Sequence, residues 1–156
     1  MDESGDLEYA LALADEADIL TMRHYRALDL RVETKADLTP VTEADRAVET
    51  ALRARVARDR GDAVAGEEYG IEEGAVRWWL DPIDGTKQYA RGLPIWATLI
   101  ALEREGEIVV AAVSAPALGH RWWAERDGGA FLDGSAIHVS QVSRLEDAYV
   151  SLVTKE

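Results

Sequence analysis

The sequence contains no cysteine and only three histidines, His24, His120 and His138. Without cysteine there can be no disulfide bonds, thiolate metal sites or cysteine nucleophile. The histidines are scattered, without the spacing of a histidine metal site, and we expect structural roles for them. Any metal site in this chain is therefore expected to rely on oxygen ligands.

The sequence also has no long apolar run and no basic excess. The first property predicts that no segment spans a membrane. The start of the chain, Met1–Asp6, is acidic, whereas a secretory signal begins basic and then turns apolar. Together with the absence of cysteine, this predicts a cytoplasmic protein without a membrane partner.

The formal net charge of −13 excludes another class of partner. Such a chain repels nucleic acid at long range, so we expect no nucleic-acid partner. It would also repel a phosphorylated metabolite unless bound cations reversed the charge locally. The acidic residues in apolar or glycine-rich stretches are therefore more informative than those on the surface.

The length of 156 residues and the apolar fraction of 47% predict one compact domain, residues 1–156. Apolar spacing predicts a helix from Leu7 to about Ala27. Pro40 disfavours a helix before it, so Leu28–Val41 is expected to be irregular. A second helix should begin near Thr42, where Asp45 completes a capping-box-like start, and end near Gly61.

Short strands separated by tight turns are predicted after the second helix. They cover Ala63–Gly66, Val76–Leu80, Trp96–Glu103, Ile108–Ala115, Arg121–Glu125 and Ala130–Leu132. Short connections favour antiparallel pairing. The fold class is therefore α+β, with two helices packed on a mainly antiparallel sheet. The final residues, 151–156, are apolar enough to predict a further strand.

An acidic segment, Asp81–Thr86, follows the strand predicted at Val76–Leu80. Pro82 biases Asp81 towards an extended backbone, so that Asp81 and Asp84 can converge. A short helix beginning at Thr86 would direct its first amides at a phosphate. Glu67 lies at another strand end, and three gathered carboxylates require a counter-charge. Oxygen ligands favour Mg²⁺, with Mn²⁺ as a second candidate.

Each element has an ordinary structural interpretation when taken alone. Asp84-Gly85-Thr86 is a common turn, Glu67-Glu68 is typical of a solvated loop, and Thr42 with Asp45 is a helix cap. Singly, these interpretations are favoured over function. Their joint occurrence in order, with Pro82 and Gly85 in place, favours a metal site.

These motifs resemble the signatures of the inositol-monophosphatase family of Mg²⁺-dependent, Li⁺-inhibited phosphatases. The resemblance rests on Gly66-Glu67-Glu68, on Trp79–Thr86 and on Thr42–Asp45, and it covers nearly the whole chain. Lys35 and Asp37–Pro40 resemble the loop that closes over the metals in that family. Leu93–Leu102, with the segments Val113–Ala117 and Arg121–Ala124, is most similar to bacterial histidinol-phosphate phosphatases.

The resemblance implies a role for each site residue. Glu67, Asp81, the Ile83 carbonyl and Asp84 would bind metal, and Glu67 would also orient the attacking water. Thr86 would pair with Asp45 to polarise that water, and the amides of Gly85 and Thr86 would hold the phosphate. The implied reaction is direct in-line hydrolysis, converting histidinol phosphate to histidinol in histidine biosynthesis. A homodimer is possible, because dimers are common in the family.

The chain departs from the family pattern at two points. The family continues the motif as T-x-N-F, whereas this chain has Thr86-Lys87-Gln88-Tyr89. A second α/β half, whose aspartate completes the second metal site, is absent from residues 1–156. The fold implied is thus the N-terminal half of the inositol-monophosphatase-like, or sugar-phosphatase, fold.

Several alternatives remain open from the sequence. The substrate could be inositol 1-phosphate or a related sugar or nucleotide phosphate. The chain could instead be a truncated, catalytically impaired fragment that still binds Mg²⁺. Aspartyl-phosphate phosphatases are disfavoured, because they need a D-x-D spacing and a βαβ start. An EF-hand is excluded, since alternating acidic ligands do not surround the glycine.

Overall fold

The computed structural model describes residues 5–34 and 40–150. Two long helices precede most of the sheet, α1 (Asp6–His24) and α2 (Glu43–Asp59). The predicted first helix is too long by three residues, because Tyr25 is extended and its hydroxyl donates to the Gly92 carbonyl. In the part of the chain described, neither helix is apolar over enough of its length to cross a membrane.

The chain between the two helices differs from the prediction of an irregular segment. It contains two short antiparallel strands, β1 (Val32–Thr34) and β2 (Pro40–Thr42). The prediction was wrong here because the pattern of apolar residues is weak and all three residues of β1 are exposed. Of the loop assigned by resemblance to Lys35 and Asp37–Pro40, only Pro40 lies within the described residues, at the start of β2. The strand predicted for 151–156 lies outside the described residues.

The remaining strands form one sheet of eight, in the order β10-β9-β8-β7-β6-β5-β3-β4. Their bounds are β3 (Ala63–Gly66), β4 (Gly70–Ile71), β5 (Val76–Asp84), β6 (Ala97–Arg104), β7 (Glu107–Ala115), β8 (His120–Glu125), β9 (Gly129–Leu132) and β10 (Ser135–Ile137). A five-residue helix, α3 (Thr86–Ala90), connects β5 to the segment before β6, and a single 3₁₀ turn covers Leu145–Asp147.

Pairing within the sheet is mainly antiparallel, as predicted. Strands β4 and β10 were not predicted, because they contain only two and three residues. Strands β3 and β5 are parallel, which the prediction of a simple meander missed. This parallel pair brings the ends of β3 and β5 to the same edge of the sheet, where Glu67 follows β3 and the acidic residues Asp81 and Asp84 form the end of β5.

The core lies between α1, α2 and one face of the sheet. Alternate residues of the central strands point towards the helices, because successive side chains of a strand face opposite sides. The fully buried residues include Leu13, Val48, Leu52, Trp78, Ile100 and Leu102. Trp78 also donates from its indole nitrogen to Asp62 at 3.0 Å.

The opposite face of the sheet is lined by apolar side chains and opens into a cleft of about 450 Å³. Trp79 lies here and is 37% exposed, whereas its neighbour Trp78 is fully buried in the core. Leu99, Ala101 and Val113 line the same cleft. At one end the cleft reaches the carboxylates of Glu67 and Asp81.

Candidate active site

The acidic segment lies at the end of β5, within the strand rather than after it. Strand β5 extends to Asp84 instead of ending at Leu80 as predicted. Asp81 is opposite Leu99 and Asp84 is opposite Ala97, so two residues of β5 face one of β6. This is a bulge, and Pro82 suits it because proline has no backbone N–H to donate to the ladder.

The bulge determines how the two aspartates are oriented. In a regular strand, residues three apart point to opposite faces. The extra residue restores the alternation, so Asp81 and Asp84 project to the same side while Ile83 is fully buried beneath them. Thr98 stabilises the distortion by donating its hydroxyl to the Pro82 carbonyl at 2.8 Å.

The charged form of the Asp81 carboxylate is disfavoured by its surroundings. Burial, followed by the charges of Glu67 and Asp84, raises the pKa of Asp81 to about 7. Its Oδ1 atom is buried and accepts no hydrogen bond from the residues that the structure describes. An oxygen of this kind, surrounded by other carboxylates, is a suitable ligand for a divalent cation.

The residues predicted to bind metal lie near one another but are not closed around one point. Among residues 5–34 and 40–150, no three or more Asp, Glu or His side chains stand in a metal-binding arrangement. The chemistry of the donors nevertheless suits Mg²⁺, since Asp81 Oδ1 is a buried oxygen without a partner and Glu67 and Asp84 act electrostatically on it. The residues that would hold the ion are Glu67, Asp81, Asp84 and the carbonyl of Ile83.

A turn at Gly85 leads from β5 into α3, which begins at Thr86. Gly85 has φ +92°, in the left-handed region. A β-carbon there would also lie 2.9 Å from the Ile95 carbonyl oxygen. Both constraints require glycine at the point where the backbone leaves the acidic strand.

Replacing Gly85 by Ala in the complete protein should therefore destabilise it strongly. The left-handed backbone costs about 1–2 kcal/mol for an L-residue, and the overlap with Ile95 adds about 1–3 kcal/mol. Gly106→Ala is the matched control, because Gly106 has φ +83° but nothing within 4 Å of the added carbon. Urea unfolding measures both variants, and equal losses would show that the Ile95 contact is unimportant.

Thr86 and Asp45 meet across the site, as the resemblance implies. The Thr86 hydroxyl lies 3.4 Å from Asp45 Oδ1 and 3.0 Å from the Ile83 carbonyl oxygen. Asp45 Oδ2 accepts from the Thr42 amide at 2.8 Å and from the Thr42 hydroxyl at 2.5 Å. This capping box fixes the carboxylate and leaves Oδ1 directed at Thr86.

Asp45 also interacts electrostatically with the acidic residues of the site. Burial raises its pKa above the ordinary value, the hydrogen bonds from Thr42 lower it, and the charge of Glu67 raises it again. Asp45 therefore acts as more than a helix cap, since its second oxygen faces a hydroxyl that the cap does not need.

An additional buried carboxylate, Glu49, was missed by the sequence reasoning. It lies one turn after Asp45 on α2, is completely buried, and contacts the segment that contains Glu67. The available signal was its spacing, because residues four apart share a helix face. Glu49 lies beside Val48 and Leu52, which are also completely buried.

Comparisons with known proteins identify a family for this chain. The sequence profile described as "Inositol monophosphatase family" matches residues 3–155. A histidinol-phosphatase of Streptomyces coelicolor is 56% identical over 154 residues, covering 92% of this chain and 58% of that protein. A histidinol-phosphatase of Mycobacterium tuberculosis is 54% identical over 154 residues, covering 94% and 59%.

Solved structures confirm the predicted fold. The structure of an IMPase from Thermotoga maritima has a TM-score of 0.82 and 34% identity to this chain, covering 86% of this chain and 54% of that one. The chain thus spans less than two thirds of the length of each of these three relatives.

Proposed function

Since this chain belongs to the inositol monophosphatase family, we propose that the complete protein is a Mg²⁺-dependent phosphomonoesterase converting histidinol phosphate to histidinol. The observation that carries the proposal is the electrostatic grouping of Asp81 with Glu67 and Asp84, together with a buried Asp81 oxygen that has no hydrogen-bond partner in the described part of the chain. The two histidinol-phosphatases at 56% and 54% identity support this substrate.

We assign the residues the roles that the family resemblance implies, and their positions support this assignment. Mg²⁺, when bound, would neutralise the carboxylates, attract the phosphate and acidify a water molecule. Asp45 orients the Thr86 hydroxyl, and this pair accepts a proton from the attacking water. Glu67 would orient that water, while the amides of Gly85 and Thr86 would bind phosphate oxygens.

Ions other than Mg²⁺ should also act at this site. Mn²⁺ should replace Mg²⁺, because it also prefers oxygen ligands, and Li⁺ should inhibit, as the family resemblance implies. The homodimer and the cytoplasmic location stay predictions of the sequence.

A phosphate-release assay on the complete protein tests the substrate. We expect kcat/KM for histidinol phosphate to exceed that for inositol 1-phosphate by about tenfold or more, which corresponds to about 1.4 kcal/mol of transition-state binding. The assay is run with Mg²⁺ and with EDTA, since release that persists in EDTA would contradict the metal site. The reverse ranking would favour the inositol monophosphate alternative, which the 34% identical IMPase represents.

A further inference from the structure

Helix α2 directs a completely buried carboxylate, Glu49, at the turn between β3 and β4. Its Oε2 atom accepts the Glu68 amide at 2.7 Å, and its Oε1 atom accepts the Tyr69 amide at 3.2 Å. These are charge-assisted hydrogen bonds, which are stronger than those between neutral groups. These two bonds fix the backbone of Glu68 and Tyr69, the residues that directly follow Glu67.

The backbone of the turn is shaped around this carboxylate. Gly66 ends β3, and a β-carbon built there would lie only 2.0 Å from Glu49 Oε1. Residue 66 must therefore lack a side chain while Glu49 occupies its position. Glu67 thus lies between Gly66, which packs against Glu49, and two backbone amides that donate to Glu49.

Arg53 compensates the buried charge of Glu49 and also bonds the strands on either side of the turn. Its Nε atom donates to Glu49 Oε1 at 2.8 Å, and Nη1 donates to the Val64 carbonyl and to Glu72. Nη2 donates to the Gly70 carbonyl. The pair of Glu49 and Arg53 therefore joins α2 to both strands that flank the turn.

One helix consequently contacts both sides of the proposed site. Asp45 faces Thr86 after β5, and Glu49, one turn later, holds the turn after β3. Residues four apart lie on the same helix face, about 6 Å apart. The rigid spacing between these two carboxylates relates the position of Glu67 to that of Thr86.

We propose that Glu49 is a positioning residue for the metal site, which sets the place of Glu67 beside Asp81 by binding the amides of Glu68 and Tyr69. This inference rests on the proposed function, because it assigns Glu49 to the same site. Glu49 itself contacts neither metal nor substrate. Its loss should weaken Mg²⁺ binding more than it reduces the rate at saturating Mg²⁺.

The test compares Glu49→Gln with the wild-type complete protein. Glutamine keeps the shape but replaces one accepting oxygen by a donor, so one backbone amide loses its partner. Loss of a residue that orients metal ligands typically weakens affinity about 10- to 100-fold. We expect that weakening of Mg²⁺ affinity in isothermal titration calorimetry, together with faster hydrogen exchange at the Glu68 and Tyr69 amides.

Asp6→Asn is the matched control for a purely structural effect. Asp6 is another buried carboxylate, bonded to Arg60 at 2.8 Å and to Arg104 at 2.7 Å. It lies at the start of α1, and Arg60 follows the end of α2, away from the Asp45 end of that helix. The Asp6→Asn variant should have a lower melting temperature but an unchanged Mg²⁺ affinity. If Glu49→Gln shifts Mg²⁺ affinity no more than Asp6→Asn does, Glu49 is structural only and the inference is wrong.

A second variant keeps the test decisive if Glu49→Gln does not fold. Gly66→Ala pushes a methyl group into the same carboxylate from the side of the turn, and it should weaken Mg²⁺ binding similarly. Gly128→Ala, in an exposed turn, should leave the Mg²⁺ affinity unchanged.

Wild-type protein that binds Mg²⁺ but releases no phosphate contradicts the proposed function alone, and the Mg²⁺ affinities of the variants still decide the role of Glu49. Wild-type protein that binds no Mg²⁺ contradicts both.

Discussion

Replacing Asp84 by Asn in the complete protein is expected to lower Mg²⁺-dependent phosphate release by about 10³-fold or more, since losing a charged metal ligand removes several kcal/mol of transition-state stabilisation. Asp84 is the outermost carboxylate of the bulge and lies beside Asp81, whose pKa it raises. Asparagine preserves the shape but removes the negative charge. Mg²⁺ affinity should fall together with kcat.

The control for this variant is Asp127→Asn. Asp127 lies in the exposed turn between β8 and β9 with φ +64°, a conformation that asparagine tolerates well. The same change of net charge is thereby made far from the acidic group. Full activity of Asp84→Asn would refute the assignment of the site, and a comparable loss in both variants would indicate a general effect of charge.

Replacing Thr86 by Val should produce the second large effect, about 10²-fold or more in kcat, which is the usual contribution of a proton-transfer group. Valine keeps the branched shape and removes the hydroxyl that lies 3.4 Å from Asp45 Oδ1. Because Thr86 is not among the expected metal ligands, Mg²⁺ affinity should stay close to that of the wild type. Steady-state kinetics and calorimetry together distinguish this pattern from that of Asp84→Asn.

Thr21→Val provides the control for the exchange of a hydroxyl for a methyl group. Thr21 is fully buried, and its hydroxyl donates to the Ala17 carbonyl at 2.8 Å within α1. This variant should lose stability while keeping kcat. If Thr86→Val also keeps kcat, the hydroxyl is a structural link to Ile83 rather than part of the chemistry.

Elements defined by neighbouring residues were predictable from the sequence. The capping box of Thr42 and Asp45 fixed the start of α2, and β3 was predicted with its observed bounds. A short helix beginning at Thr86 was considered from the sequence, and α3 begins there. Each depends on residues only a few positions apart, so the local pattern contains the required information.

Features that depend on distant contacts were not predictable in the same way. The hairpin of β1 and β2 lacks an alternating apolar pattern, because its first strand is exposed on both faces. The parallel pairing of β3 with β5 joins strands separated by the two-residue strand β4. Glu49 looked like an ordinary helix glutamate, because its partners lie about twenty residues away.

Within the site, the sequence identified the acidic residues but not their exact setting. Asp81 and Asp84 were expected after a strand, whereas they lie inside β5 on either side of a bulge. The meeting of Thr86 with Asp45 was supplied by the family resemblance, since the two residues are 41 positions apart. Spacing alone could not have paired them.

The bulge at Pro82 and Ile83 also has a consequence for insertions and deletions. If the bulge is kept, one added residue between the two aspartates would send their side chains to opposite sides of the sheet, because each further residue of a strand reverses the side to which the side chain points. One deleted residue would keep them on the same side but would flatten the strand and change the carbonyl groups between them. The number of residues between Asp81 and Asp84 is therefore more tightly constrained than the identity of the apolar residue at position 83.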